Sequence, residues 1–209
     1  MSFPFDVISG EEYDRQRASY DPLTDALRRL IDVGIHTAVD DGTVQEALRH
    51  LDAATELLER QQRTVTSTLR HADTGKPVAW ANPAVGLRNA IAPPMVIQHE
   101  PDGSCWSEFT LGRAYEGPPG WVHGGICALL LDHILGEVAS EGLSLPKFTG
   151  TISVKYLRGT HLGPVRAEAF VERSEGFKTY ARGYLKDAEG VTVEAEGVFI
   201  MPAWARDAG

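Results

Sequence analysis

The feature that most constrains the fold is an apolar run at 126–135 that contains a single carboxylate, Asp132. A stretch rich in glycine and proline, 117–125, comes directly before it. Because the run is apolar on every side, we predict a buried helix that begins near Gly124 and ends near Gly142. An ionised Asp inside such a helix is costly unless it is paired, hydrogen-bonded or used. We therefore expect the rest of the chain to build around this helix.

The length and composition are those of a globular protein. The 209 residues suffice for one domain with an extension, and 43% of them are hydrophobic. The net charge of −9 argues against nucleic acid as a partner. The first residues do not read as a secretory signal, and no apolar run is long enough to span a membrane. Cys105 and Cys127 fit reduced core positions, so we expect a cytoplasmic protein without a metal or a cofactor.

Residues 1 to about 70 are predicted to be mainly helical. Three helix starts are indicated by their first residues, namely Ser9 with Glu12, Asp21 with Pro22, and Thr43 with Glu46. Gly34 should end the second helix. The third helix carries an apolar stripe, which predicts a packing layer, a contact between subunits or a lid over a ligand channel. The segment 65–68 favours a strand by its composition.

A connector at 71–94, punctuated by glycine and proline, separates this part from the remainder. The hydrophobic period then changes to two, the spacing of strands. Six strands are predicted, at 95–99, 104–111, 148–158, 165–173, 178–186 and 191–201. Short turns between them imply an antiparallel sheet. We expect an α+β fold, with a helical extension and connector at 1–81 and a sheet wrapped around the central helix at 82–209.

The start of the central helix is suited to binding an oxygen that becomes negative. Its first N–H groups lack intrahelical acceptors and lie at the positive end of the helix dipole. Gly124 and Gly125 let a ligand approach closely, and His123 could orient the same carbonyl. Asp132 would serve as base or nucleophile. It lies eight residues from Gly124, about 12 Å along a helix, so the two are expected to meet only across a symmetric dimer.

At these residues the chain resembles the hotdog-fold acyl-CoA thioesterases, specifically the phenylacetyl-CoA thioesterase-like group and its long-chain acyl-CoA relatives. The motif is His-Gly-Gly, six residues and then Asp, which matches His123 to Asp132. The resemblance covers about 82–202. It implies a hotdog fold, hydrolysis of acyl-CoA to acid and CoA, and a homodimer, with a dimer of dimers also open. The helical extension is not part of the family's minimal unit.

The resemblance also implies roles for individual residues. The N–H of Gly124 would hold the thioester oxygen, with His123 assisting, while Asp132 of the partner subunit attacks or activates water. A hydroxyl on the strand after the helix would assist Asp132; this is Thr149, or Thr151 if the alignment shifts by two. Many relatives carry an Asn six residues before the His, where this chain has Gly117.

Coenzyme A carries phosphates, so an acidic chain needs local basic groups to bind it. Lys155 and Arg158 are candidates, with Lys178 and Arg182 on later strands, although solvated surface charges are the simpler interpretation of all four. Two alternative functions remain open: a hotdog hydratase or dehydratase, and a non-catalytic acyl-CoA-binding module. The sequence does not predict the length of the acyl chain.

Overall fold

The computed structural model describes residues 5–64 and 68–206. The main strands and helices, in chain order, are β1 (Phe5–Ile8), α1 (Gly10–Ile35), α2 (Asp41–Glu59), β2 (Thr68–His71), β3 (Gln98–His99), β4 (Cys105–Leu111), α3 (Gly124–Ala139), β5 (Phe148–Tyr156), β6 (Gly163–Glu175), β7 (Lys178–Asp187), β8 (Gly190–Ile200) and α4 (Ala203–Arg206). A single 3₁₀ turn, Arg113–Tyr115, lies between β4 and α3.

Six strands form one antiparallel sheet in the order β3-β4-β6-β7-β8-β5, and α3 packs against it. One face of α3 is fully buried, with Leu130, Leu131, Ile134 and Leu135 in contact with the inner face of the sheet. Each such side chain contributes about 1.5–3 kcal/mol relative to an exposed one. The predicted α+β arrangement, a sheet around an apolar helix, is confirmed.

The six predicted strands all form, with bounds that differ by a few residues, except that β3 is much shorter than expected. The chain at 95–97 does not pair with β4, since only Gln98 and His99 do so. Met95 is instead buried, and its N–H donates to the carbonyl of Pro93. The two prolines before Met95 hold the chain in a turn, which delays the strand.

The predicted helix start at Asp21 is wrong, because α1 runs through Pro22 without a break. Its start at Ser9 is confirmed, since the Ser9 hydroxyl accepts the N–H of Glu12 at 3.2 Å. Tertiary packing offsets the cost of the proline: the guanidinium of Arg88 lies 3.7 Å from the Tyr20 ring centre and also contacts the Trp80 ring. This cation–π contact fixes the middle of α1 on the connector.

The predicted start of α2 at Thr43 is also wrong. The N-cap is Asp40, whose carboxylate accepts the N–H of Thr43 at 2.9 Å. A carboxylate at this position also stabilises the helix, because its negative charge lies at the positive end of the helix dipole. No residue of α2 is buried, so its apolar stripe, which includes Leu48 and Leu51, does not form a packing layer within the chain.

A second, two-stranded sheet was not predicted. β1 and β2 pair in parallel, with Phe5 opposite Thr68 and Ile8 opposite His71. Four residues per strand are too few to show a clear period, and pairing across 60 residues leaves no local signal. The expected strand at 65–68 lies outside the described residues apart from Thr68, which is in β2.

Candidate active site

The turn before α3 brings the chain back on itself. The N–H of Gly117 donates to the carbonyl of Trp121, and the carboxylate of Glu116 accepts the N–H of Gly120 at 2.7 Å. Gly117 passes so close to His123 that a Cβ there would lie 2.9 Å from the Cα of that residue. A side chain at position 117 would therefore collide with the backbone of residue 123 unless this turn shifted.

His123 is the N-cap of α3, and its side chain is exposed. Its Nδ1 accepts the N–H of Gly125 at 3.0 Å. A neutral ring that accepts at Nδ1 carries its proton on Nε2, so the free donor faces away from the helix. The N–H of Gly125 is thereby occupied, whereas that of Gly124 has no acceptor within 5–64 and 68–206.

Tyr156, at the end of β5, closes the other side of the helix start. Its hydroxyl donates to the carbonyl of Gly124 at 2.8 Å. A Cβ on residue 124 would meet the Tyr156 ring at 3.3 Å, which is tight even for a van der Waals contact. Tyr156 thus fixes the peptide that carries the open N–H. This role could not be predicted from the sequence, because it depends on where β5 ends beside α3.

Asp132 lies in the third turn of α3, partly buried. The Thr149 hydroxyl, near the start of β5, donates to its Oδ1 at 2.9 Å. The pairing of β5 with β8 shifts between Thr149 and Thr151, so the strand bulges at Gly150. Both candidate threonines are exposed, but Thr149 contacts the carboxylate, whereas Thr151 lies beyond the bulge.

The open N–H and the carboxylate do not form one site within one chain. Gly124 and Asp132 belong to the same unbroken helix and are separated by eight residues, about 12 Å. Atoms that react with each other must approach to about 3–3.5 Å, so these two groups cannot act on the same bond. The chain therefore carries two half-sites, one at each end of the same helix segment.

The buried cysteines and His133 are poor candidates for chemistry at this site. Burial raises the pKa of Cys127, and it raises that of Cys105 to about 12. Neither thiol is then the reactive thiolate at neutral pH. Burial lowers the pKa of His133, which Asp132 opposes in part, so this imidazole is neutral. No group of three His, Cys, Asp or Glu in the described part of the chain is placed to hold a metal.

The two candidate phosphate-binding residues have different surroundings. Arg158 donates to both oxygens of Asp187 and also to the carbonyls of Gly159 and Gly190. Its terminal nitrogens are occupied and its charge is neutralised, so the structure gives Arg158 a role in holding a turn. Lys155 is exposed on β5 and forms no ion pair within the described residues.

A family model, the thioesterase superfamily, matches residues 119–194. A thioesterase superfamily protein of known crystal structure is 34% identical, with a TM-score of 0.77; the match covers 87% of this chain and 94% of that one. The chain belongs to the thioesterase superfamily. At 87% coverage, the likeness between these two superfamily members extends into the N-terminal extension as well as the hotdog sheet.

Two other structures are more distant. Zebra fish thioesterase superfamily member 2 is 16% identical with a TM-score of 0.51, over 59% of this chain and 91% of that one, which shows a shared fold. A putative thioesterase from Ralstonia eutropha, described as phenylacetic acid degradation-related, is 22% identical with a TM-score of 0.48, over 51% and 84%. The branch within the superfamily stays a prediction. No curated protein matches the sequence. Among the described helices, none is long and apolar enough to cross a bilayer.

Proposed function

We propose that this protein hydrolyses acyl-CoA thioesters to the free acid and coenzyme A. The observation that carries the proposal is the hydrogen bond from Thr149 to Asp132, on a helix whose first turn presents the free N–H of Gly124. Membership of the thioesterase superfamily supports the class of bond.

The N–H of Gly124 is the proposed donor to the thioester oxygen. As water attacks, this oxygen gains negative charge, and the positive end of the α3 dipole stabilises it. Tyr156 holds the donor in place from the other side of the same peptide. The Nε2–H of His123 is a second proposed donor. One such donor typically lowers the barrier by about 3–4 kcal/mol.

Asp132 is the proposed base or nucleophile. Thr149 donates to Oδ1, which leaves Oδ2 free to accept a proton from water or to attack the thioester carbon. Holding one oxygen limits rotation of the carboxylate, so the free oxygen keeps one direction. Either route breaks the bond between carbonyl carbon and sulfur and releases CoA as the thiol.

A dimer would unite the two half-sites. β5 is an edge strand of nine residues, and among residues 5–64 and 68–206 its one partner is β8; Phe148, Tyr156 and Leu157 are exposed on or beside it. Free edges of this length are normally covered. Pairing of two β5 strands about a two-fold axis would place the two α3 helices antiparallel, with Gly124 near Asp132 of the partner subunit.

Mixing two inactive variants tests this shared site. Asp132→Asn and Gly124→Val each lose one half-site, so each homodimer should be inactive. Random mixing makes half of the dimers heterodimers, and each heterodimer retains one intact site of two. We expect recovery of about a quarter of the wild-type activity. No recovery after co-refolding would contradict a site built from two chains.

The main experiment measures thiol release from a panel of acyl-CoAs. Asp132→Asn should reduce turnover by at least about a hundredfold, whereas Asp52→Asn, the same change on exposed α2, should not. Release that Asp132→Asn does not affect would refute the role of Asp132. Binding without release would favour the acyl-CoA-binding module, and addition of water to an enoyl-CoA would favour the hydratase.

The CoA phosphates need a basic contact near Gly124. Lys155 lies one residue before Tyr156 on β5, which itself contacts Gly124, so we propose Lys155 in preference to Arg158 for this contact. Lys155→Glu should raise the KM for acyl-CoA more than it lowers kcat. An unchanged KM would place the phosphates elsewhere.

A further inference from the structure

A cavity of about 440 Å³ lies between the N-terminal extension and α3. α1 contributes Tyr13 and Arg17, the connector contributes an apolar wall that includes Val85 and Ile97, and α3 contributes His133. A volume in this range is typical of small-molecule sites. The walls from α1 and the connector lie outside residues 119–194, so the superfamily model that matches those residues assigns these walls no role.

One residue that lines the cavity, His133, is the neighbour of the proposed base in α3. His133 follows Asp132 directly, so their Cα atoms are about 3.8 Å apart. Glu137, one turn further along α3, lines the same cavity. The cavity thus runs alongside α3 from the turn that carries Asp132 towards the C-terminal end of the helix.

Two polar groups of this cavity, one buried and one exposed, are available to a ligand. The Nε2 of His133 is buried and makes no hydrogen bond within the described residues. The Lys76 side chain is exposed, its Nζ lies beside residue 142, and it forms no salt bridge within the described residues. A buried polar atom without a partner costs about as much as a lost hydrogen bond, and a ligand atom that pairs with it recovers that cost.

Several neighbouring side chains of the cavity already have partners within the chain. Arg17 pairs with Asp21 at 2.9 Å, His71 lies 4.0 Å from Asp73, and His99 contacts Glu137 at 3.0 Å. The Lys76 ammonium interacts electrostatically with Glu137 but forms no direct salt bridge to it.

Gly142 gives this ammonium its space. A Cβ on residue 142 would lie 3.1 Å from Nζ of Lys76 and 3.3 Å from the His99 ring, and the backbone there has a φ of 69°. A side chain at this position would fill the place where Lys76 and His99 approach each other. The glycine therefore keeps open a small polar pocket at the end of an otherwise apolar wall.

We propose that this cavity binds the acyl end of the thioester, and that the preferred acyl chain carries an oxygen that accepts hydrogen bonds from Lys76 and His133. The apolar wall packs against the methylene groups, and the oxygen lies at the polar end. α1 acts as the cover of the cavity. This inference rests on the proposed function for the identity of the ligand as a thioester.

Three six-carbon substrates test the proposal: hexanoyl-CoA, 6-hydroxyhexanoyl-CoA and adipoyl-CoA, compared by kcat/KM. One additional hydrogen bond should favour an oxygenated substrate over hexanoyl-CoA by about threefold to tenfold. His133→Phe keeps an aromatic ring and removes the nitrogens, so it should reduce the preference. His50→Phe, the same change on exposed α2, should retain it.

Lys76→Met provides a second variant at an exposed position that tolerates substitution. It should reduce the preference for adipoyl-CoA more than the preference for 6-hydroxyhexanoyl-CoA. The substrate with the higher kcat/KM in the wild-type enzyme shows whether the preferred oxygen is a carboxylate or a hydroxyl. A preference for hexanoyl-CoA, or one that is equal in His133→Phe and His50→Phe, would overturn the proposal.

Binding to the Asp132→Asn variant separates this proposal from the proposed function. Calorimetry with the same three compounds measures the preference without turnover. If the oxygenated compounds bind threefold to tenfold more tightly but the wild-type protein releases no thiol, the cavity proposal is supported and the proposed hydrolysis is refuted. If hydrolysis depends on Asp132 but neither His133→Phe nor Lys76→Met changes the selectivity, the proposed hydrolysis is supported and the cavity proposal is refuted.

Discussion

The contact between Thr149 and Asp132 allows a quantitative prediction. Thr149→Val keeps the shape of the side chain and removes the hydroxyl that donates to Oδ1 at 2.9 Å. A hydrogen bond to a charged group contributes about 1.5–3 kcal/mol. If the bond holds the carboxylate in its reactive direction, kcat should fall by about 10- to 150-fold, since 1.36 kcal/mol corresponds to a factor of ten.

Steady-state thiol release with one acyl-CoA measures this effect. KM should change little, because Thr149 orients Asp132 and has no assigned contact with the CoA portion. Thr149→Ser restores a hydroxyl and should recover most of the activity. Thr151→Val is the matched control, because Thr151 lies on the same strand beyond the bulge and does not contact Asp132.

Three outcomes would refute this reasoning. Equal losses in Thr149→Val and Thr151→Val would indicate a general effect on β5. A rise in KM without a fall in kcat would assign Thr149 to binding. A Thr149→Ser enzyme as slow as Thr149→Val would show that the hydroxyl is not the group that matters.

Three further predictions concern other parts of the site and the fold. Tyr156→Phe removes the bond to the Gly124 carbonyl and should lower kcat about threefold to tenfold, as measured by thiol release. Because burial raises the pKa of Cys127, iodoacetamide at pH 7 should neither modify this residue in the native protein nor inactivate it, as mass spectrometry and the activity assay would show. The Arg158 guanidinium holds the pKa of the Asp187 carboxyl well below its usual range, so the pair stabilises the fold above about pH 4 and loses this effect as pH falls through the folded value. Asp187→Asn should therefore lower Tm at pH 7, by a margin that narrows between about pH 5 and pH 2; a constant margin would contradict the linkage.

The site was predictable where it depended on one continuous segment. A glycine-rich turn followed by an apolar helix with one Asp indicates both the oxyanion donor and the carboxylate, because each follows from helix geometry along a few residues. The role of Tyr156 and the occupation of Arg158 by Asp187 were not predictable. Both depend on residues that are distant in the chain and meet only when the sheet closes around α3.

Helix boundaries in the extension show the same limit. Asp21 with Pro22 is a good local start, yet contacts from Arg88 hold α1 continuous through the proline. Thr43 competes with Asp40 for the N-cap of α2, and the ionised side chain prevails. Local propensities differ by about 1 kcal/mol or less, so a single tertiary contact can reverse them.

The sequence by itself determined the central elements: an apolar helix with a carboxylate, six strands of period two, and a helix start open to an oxygen. These follow from side-chain periodicity and the unpaired N–H groups of any helix. Only the tertiary structure decided that Thr149 rather than Thr151 meets Asp132, and that α1 and the connector line a cavity next to His133. The bulge at Gly150 and the packing of α1 arise from contacts between distant segments, which no local pattern encodes.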